Sequence, residues 1–221
     1  MLTSFDPNEP YLNILSVPRD LWVTIPGIGE GRINTTHFFA EAELPGSGPA
    51  AMIEMIRSNF GVDFPYFIRI QFNGFREIVD ALGGVDIELS EPMAGYQPGK
   101  YHLTGNKALA FVRERMDSDD FHRMQHGQFM IISVFKTMLK DKNWWRLPAV
   151  ASEFFKIIET NVPTWMWPRL AFTLLRLGPN GIDHRVVSSD MVTPFTTSDG
   201  AMVLLPNWDF INPVLEEMFK K

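Results

Sequence analysis

The alternation of apolar and polar residues in the first part of the chain predicts β-strands interleaved with helices. Short runs of β-branched and aromatic residues indicate strands at 11–17, 21–25, 66–72 and 85–89. Apolar residues with helical spacing indicate helices at 49–60 and 73–82. Gly61 and Gly83 stand where these helices should end, and Asn73 can act as the N-cap of the second. The order is typical of an α/β fold, so we expect a central mixed β-sheet flanked by α-helices on both faces.

Helical spacing dominates the second part of the chain. Helices are predicted at 105–114, 120–139, 147–158, 167–177 and 208–219, with one further strand at 201–205. The sequence contains no internal repeat, low-complexity segment or Ser/Gly-rich linker, so we expect one domain over residues 1–221. Its core motifs fall at 2–139, and a helical and C-terminal extension follows at 140–221.

Composition narrows the class of protein. With 221 residues, 45% of them apolar and 13% aromatic, the chain can bury a sizeable core. It has no cysteine, which excludes a disulfide framework, a thiolate metal site and a cysteine nucleophile. The formal charge of −6 argues against a general nucleic-acid-binding protein, because phosphate-backbone affinity needs a basic face. The apolar run 129–135 is far shorter than the ~20 residues that cross a bilayer.

The first candidate for chemistry is a group of arginines near the middle of the chain. Arg113, Arg115 and Arg123 bracket the acidic residues Asp117, Asp119 and Asp120. Each guanidinium offers a planar fork of donors and keeps its charge, which suits a phosphate or pyrophosphate ligand. The alternative is a solvated helix end, on which an Asp120–Arg123 pair contributes only ~0.3 kcal/mol.

A second candidate lies directly after the first predicted strand. Arg19 and Asp20 end the motif LSVPRD, and open α/β sheets bind ligands at the edge where strands end. The alternative is a turn with a structural salt bridge. Arg32 and Asn34 repeat the pairing of a cation with a polar side chain, although an asparagine at this position can equally cap a helix.

Six motifs follow one another in a fixed order along the chain and include both groups of candidate residues. LSVPRD, the IPG turn, GRIN, FNGFREIVDALGGVDI, LTGNKALAFVRER and DFHRMQHGQ together resemble the LytR-CpsA-Psr (LCP) family, also known as the cell envelope-related transcriptional attenuator domain. The resemblance spans roughly 2–139. Residues 191–219 are similar to the C-terminal continuation of some members.

The resemblance implies an enzyme of cell wall biogenesis, anchored in the cell envelope on the outer face of the cytoplasmic membrane. Such a phosphotransferase moves a glycopolymer from a polyprenyl-pyrophosphate carrier onto peptidoglycan, with Mg²⁺ as cofactor and no nucleic acid as partner. A non-catalytic domain that binds polyprenyl pyrophosphate, or that regulates, is the alternative. Fixed cations suit the transfer reaction, because its transition state spreads negative charge over phosphoryl oxygens.

The same resemblance implies roles for particular residues. The catalytic set is Arg113, Arg115, Asp120 and Arg123, and the pyrophosphate-binding set is Arg19, Asp20, Arg32, Asn34, His126 and Gln128. Asp120 would orient neighbouring arginines or act as a base towards the acceptor hydroxyl. His126 stands where the family often has arginine, so it would carry a charge on only part of the molecules at neutral pH. A polar residue on a helix face is the alternative for His126.

The start of the chain differs from the family pattern. In the family, a transmembrane helix and metal-binding aspartates precede the first strand, and this chain begins after both. We therefore expect the membrane anchor and the Mg²⁺ ligands upstream, and assign no metal-binding residue here. A trimmed chain, a late start codon and an inactive relic all fit this difference.

Gly127 lies inside a predicted helix, where glycine is less favourable than alanine. It indicates either that another backbone segment approaches closely or that the helix simply tolerates the glycine.

The apolar residues of this region could line a groove for the lipid carrier or fill a core. Packing is the more common role for such stripes, so we expect about one in three of these residues to contact lipid. The candidates are Phe72, Phe75, Ile78, Val79, Leu109, Phe111, Val112, Phe129, Ile132, Val134 and Phe135.

Overall fold

The computed structural model describes residues 1–6, 11–114, 120–177 and 181–219, and in this part of the chain the protein is mixed α/β. The strands are β1 (Leu2–Asp6), β2 (Tyr11–Ser16), β3 (Trp22–Ile25), β4 (Gly29–Arg32), β5 (Ile68–Ile70), β6 (Val85–Leu89), β7 (Gly99–Leu103), β8 (Ile158–Thr160), β9 (Ile182–Val186), β10 (Val192–Thr196) and β11 (Met202–Pro206). The α-helices are α1 (Thr35–Glu43), α2 (Gly48–Phe60), α3 (Phe72–Leu82), α4 (Gly105–Arg113), α5 (Asp120–Met138), α6 (Leu147–Ile157), α7 (Met166–Arg176) and α8 (Trp208–Phe219). Short 3₁₀ helices cover Asp141–Arg146 and Ser189–Met191.

The chain divides into two compact units. The first combines Met1–Phe67 with Pro163–Lys221, and the second is Ile68–Val162. No helix among the described residues is long and apolar enough to cross a bilayer. The expectation of one domain with a C-terminal extension stays a prediction.

Strand β2 lies at the centre of the sheet in the first unit. It pairs with β1 in antiparallel fashion and with β9 in parallel, so the sheet is mixed, as predicted. Every residue of β2 after Tyr11 is buried, including Asn13, whose amide donates a 2.6 Å hydrogen bond to the carbonyl of Met218. Because a buried amide without a partner would be costly, this bond ties the C-terminal helix α8 to β2.

Strands β3 and β4 form a hairpin next to this sheet. Gly27 in its turn (φ 80°) and Gly29 at the start of β4 (φ 113°) have positive φ, a conformation that costs glycine little. A parallel bridge joins Leu21, just before β3, to Leu204 of β11. The N-terminal hairpin and the C-terminal strands therefore belong to the same unit.

The second unit packs helices against a β6–β7 hairpin. Its core contains the fully buried side chains of Val79, Leu103 and Phe111. Helices α3 and α4 approach closely at Gly105, where an added Cβ would lie 2.4 Å from the carbonyl oxygen of Arg76. Asp80 accepts a 2.8 Å hydrogen bond from the N–H of Gly105, which satisfies a donor at the start of α4. Arg113 is the last residue of that helix.

Most helices are placed where the sequence predicts them, and α8 has the predicted bounds. Asn73 as an N-cap is wrong, because α3 begins at Phe72 with Gln71 in the cap position. The strand expected over 66–72 is confined to Ile68–Ile70. Helix α1 and six strands were not predicted: β1, β4, β7, β8, β9 and β10.

Candidate functional site

Two arginines share one carboxylate in the first unit. Nε of Arg19 lies 3.3 Å from Oδ2 of Asp20, and Nε of Arg32 lies 3.4 Å from Oδ1 of the same side chain. A second nitrogen of Arg32, Nη2, donates a 2.9 Å hydrogen bond to the carbonyl of Met202. We call Arg19, Asp20 and Arg32 the arginine–aspartate cluster. Asp20 accepts a hydrogen bond from Arg19, whereas Nε of Arg32 makes no hydrogen bond with the described residues and is attracted to Asp20 by charge alone.

Backbone hydrogen bonds bring the parts of this cluster together. The turn at Pro18 closes with a bond from the N–H of Leu21 to the carbonyl of Pro18, at 3.2 Å. The N–H of Asn34 donates to the carbonyl of Arg19 at 3.3 Å. From the C-terminal segment, the N–H of Leu204 donates to the carbonyl of Asp20 at 3.0 Å. The motifs LSVPRD and GRIN, separate in sequence, therefore form one local structure.

Asn34 occupies the N-cap position of α1, as expected if its role were to cap a helix. Its side chain makes no capping hydrogen bond to the helix. The amide therefore stays a candidate for binding a ligand beside Arg19.

The charge balance of the cluster changes when a fourth side chain is included. A hydrogen bond from the hydroxyl of Thr197 is the main cause of the lowered pKa of Asp199, and the positive charge of Arg32 adds a smaller effect. Two arginines and two aspartates are formally neutral. Anion binding here therefore depends on the direction of the guanidinium forks. Arg19 can take part, because 56% of its side chain is exposed.

Two buried hydroxyl groups in the same segments were not singled out from the sequence. The oxygens of Ser16 and Thr36 are buried and accept or donate no hydrogen bond within the described part of the chain. Ser16 lies in LSVPRD and Thr36 follows Asn34, so their positions beside the arginines were the available signal. Both oxygens are closed to solvent, and they could reach a phosphate only after local opening.

The arginine group in the second unit is described only in part. Arg113 ends α4 and is exposed, and α5 begins at Asp120. Arg115, Asp117 and Asp119 lie outside the described residues, as do the side chains of Asp120 and Arg123. Their assembly into an anion site stays a prediction.

His126 and Gln128 are buried on α5. The imidazole of His126 is 3% exposed and its ring centre lies 5.6 Å from that of Phe111. Gly127 lies between them, and a Cβ added there would meet none of the described atoms within 4 Å. No close backbone approach therefore requires glycine here, and the helix simply tolerates it. A ligand phosphate would have to reach both side chains below the surface of the unit.

The apolar residues proposed for a groove or a core lie largely in the core. Ile78, Val79, Phe111 and Val134 belong to the buried cluster of the second unit, and Phe75, Val112 and Phe129 pack against it. This favours the packing role for these seven side chains.

The described residues do not fit a magnesium site. Among them, no group of three or more His, Asp or Glu side chains is placed to hold a metal ion. Asp20 already faces two guanidiniums, which would compete with a cation for its oxygens.

Comparison with known proteins decides the family. The model of the LytR_cpsA_psr family matches residues 1–217. This chain belongs to the LytR-CpsA-Psr family.

Curated relatives of this LytR-CpsA-Psr protein carry two kinds of name. Regulatory protein MsrR of Staphylococcus aureus (strain COL) is 27% identical over 171 residues, covering 74% of this chain and 50% of MsrR. The polyisoprenyl-teichoic acid–peptidoglycan teichoic acid transferase TagU of Bacillus anthracis (strain CDC 684 / NRRL 3495) is 28% identical over 169 residues, covering 73% of this chain and 54% of TagU. The chain thus spans about half the length of these relatives.

Solved structures support the fold of this LytR-CpsA-Psr protein. TagV of B. subtilis superposes with a TM-score of 0.76 at 19% identity, covering 99% of this chain and 87% of TagV. TagT bound to LIIa-WTA superposes with a TM-score of 0.78 at 18% identity, covering 98% of this chain and 81% of TagT. At this level of identity the likeness establishes the mixed α/β fold.

Proposed function

We propose that this chain is a phosphotransferase domain that moves a glycopolymer from a polyprenyl-pyrophosphate carrier onto peptidoglycan. The observation that carries the proposal is the pair of arginines held on Asp20, at the position where the family motif LSVPRD ends a buried strand. Membership of the family and the transferase name of TagU support the same reaction.

The reaction exchanges the phosphoanhydride bond of the pyrophosphate for a phosphate ester bond to peptidoglycan. A hydroxyl oxygen of peptidoglycan attacks the phosphorus that carries the glycopolymer, and a new P–O bond forms. The P–O bond to the bridging oxygen of the pyrophosphate breaks, so that polyprenyl monophosphate leaves with the electron pair. The hydroxyl proton passes to a base, for which Asp120 is the candidate from the sequence. No redox step is needed.

The guanidinium groups would bind the diphosphate and stabilise its transition state. Charge accumulates on the phosphoryl oxygens as the bond breaks, and fixed cations stabilise it without reorganising. Arg19 and Arg32 would bind one part of the diphosphate with help from Asn34. For Arg113, Arg115 and Arg123 the same role is proposed from the family resemblance of their motifs.

Location, partners and cofactor follow from the same proposal. The domain would act in the cell envelope, on the outer face of the cytoplasmic membrane, with the carrier lipid and peptidoglycan as partners and no nucleic acid. Mg²⁺ would assist the transfer, with ligands other than the described residues. No step above passes through the metal.

A regulatory or purely binding role is the second candidate. It is favoured by the name of MsrR, a regulatory protein. Such a domain would bind the lipid pyrophosphate without turnover.

A transfer assay tests both candidates. The chain is incubated with a polyprenyl-pyrophosphate glycan, peptidoglycan and Mg²⁺, and release of polyprenyl phosphate is measured together with glycan on the wall. We expect Arg32→Gln and Arg113→Gln to lower turnover by at least about 100-fold, as loss of a transition-state cation does. Arg57→Gln is the matched control, because Arg57 pairs with Glu54 and Asp63 outside the proposed site. Binding of the donor without turnover in the unmodified chain supports the second candidate, and equal rates in all variants refute the site.

A further inference from the structure

One exposed stripe of helix α7 combines large apolar side chains with arginines. Trp165 just before the helix is 67% exposed, Phe172 is 60% exposed and Leu175 is 50% exposed. Arg169 and Arg176 are exposed as well. Trp165, Arg169, Phe172 and Leu175 are spaced three or four apart and Arg176 follows Leu175, so the five residues lie on one face; they are called the α7 stripe.

Another face of α7 is buried. Thr173 is 2% exposed, and Leu177, directly after the helix, is 4% exposed. The hydroxyl of Thr173 donates a 3.0 Å hydrogen bond to the carbonyl of Arg169. The helix thus has one buried side and one side that presents apolar area to solvent.

The charge of the α7 stripe differs from that of the chain as a whole. The protein carries a formal charge of −6, yet no aspartate or glutamate occurs between Glu159 and Asp183. The guanidinium of Arg176 lies 5.6 Å from the centre of the Phe172 ring. A positive charge and an aromatic ring are therefore presented side by side.

We propose that the α7 stripe docks on the surface of a lipid bilayer with anionic headgroups. Phe172 and Leu175 would enter the boundary between headgroups and acyl chains, Trp165 would lie at the headgroup level, and the two arginines would contact lipid phosphates. A helix of 11 residues is too short to cross the bilayer, so it lies along the interface.

The positive charge of the α7 stripe favours an anionic bilayer over an uncharged apolar partner. Helix α1 offers the comparison, since Phe38 is 69% exposed there. That helix also carries Glu41 and Glu43 and would be repelled by anionic lipid. The α7 stripe, in contrast, joins exposed apolar area to an acid-free, basic sequence.

Vesicle flotation tests the proposal on the chain as it stands. Vesicles of phosphatidylcholine alone are compared with vesicles that contain phosphatidylglycerol. We expect binding to the anionic vesicles that falls at high salt. Phe172→Glu should weaken it by about tenfold or more, and Arg169→Gln with Arg176→Gln by roughly fivefold for each arginine. Phe38→Glu is the matched control and should bind as the unmodified chain does.

Two further measurements keep the proposal falsifiable. Circular dichroism should show unchanged helix content in Phe172→Glu, because the replaced side chain is mostly exposed. Subtracting the emission of Trp165→Phe from that of the unmodified chain gives the emission of Trp165. This emission should shift to shorter wavelength when anionic vesicles are added. Absence of binding, or binding that Phe172→Glu leaves unchanged, refutes the proposal. So does a dimer in sedimentation that Phe172→Glu dissociates while no vesicles are bound, because the stripe is then a contact between copies. None of these readouts requires transfer activity.

Discussion

Oδ1 of Asp20 lies 3.4 Å from Nε of Arg32, although the two residues belong to different sequence motifs. Oδ2 of the same carboxylate faces Arg19 at 3.3 Å. One acidic group therefore attracts two cations, and its role can be separated from theirs by substitution.

Asp20→Asn should lower turnover more than donor binding. The amide keeps the size of the side chain but no longer attracts either guanidinium, so the two arginines lose their fixed direction. A small misplacement of a positioning group can cost about 10²-fold in rate. We expect kcat for glycan transfer to fall by roughly 10- to 100-fold, with a smaller change in KM. Asp63→Asn, which removes the carboxylate that pairs with Arg57, is the control. An unchanged kcat in Asp20→Asn would show that the carboxylate does not position the cations.

Gly105→Ala and Gly127→Ala should change stability in opposite directions. The new Cβ at Gly105 would lie 2.4 Å from the carbonyl oxygen of Arg76, so α3 and α4 must move apart. Overpacking of this kind costs about 1–3 kcal/mol. At Gly127 the Cβ meets none of the described atoms within 4 Å, and alanine should stabilise α5 by up to about 1 kcal/mol. Urea denaturation of the two variants measures both effects. Equal midpoints would contradict the close approach of α3 and α4.

Asp199 should titrate below its ordinary range. Its pKa is lowered chiefly by a hydrogen bond from the hydroxyl of Thr197, with backbone N–H groups and Arg32 adding to the effect. A carboxyl group whose pKa is lower in the folded state stabilises the protein above the unfolded pKa, and this contribution disappears as the pH falls through the folded pKa. NMR titration of the Asp199 carboxyl should show a higher pKa in Thr197→Val. An identical titration in both proteins would exclude the hydroxyl as the main cause.

Arg185 should be sensitive to replacement by lysine. Its guanidinium donates two hydrogen bonds to Glu217 of α8, at 2.7 and 2.8 Å, and two to Asp183 in its own strand, at 2.9 and 3.2 Å. These carboxylates raise the pKa of Arg185 above its ordinary value, so the group stays charged. Lysine keeps the charge but not the fork, and we expect a loss of about 1 kcal/mol in the free energy of unfolding. Arg57→Lys at an exposed pair should cost less, because solvent screens that interaction. Equal losses would show that the forked geometry contributes nothing.

Local patterns predicted the helices better than the strands. Helix α2 has a clear apolar stripe and a glycine at its end, and both signals depend only on neighbouring residues. Strand β9 has the sequence IDHRV, in which two charged residues mask the pattern, and it forms because its backbone pairs with β2. Pairing between distant segments depends on the partner strand, which no local window contains.

The sequence by itself determined the family, the mixed α/β class and the position of the buried strand β2, because motif order and apolar runs are written along the chain. Only the tertiary structure decided that Asp20 lies between Arg19 and Arg32, that Asn34 follows beside them, and that His126 is buried against Phe111. Those relationships depend on which residues the backbone brings together. They depend also on how far each side chain is buried from solvent. Neither the contacts nor the burial can be read from the spacing of residues in the sequence.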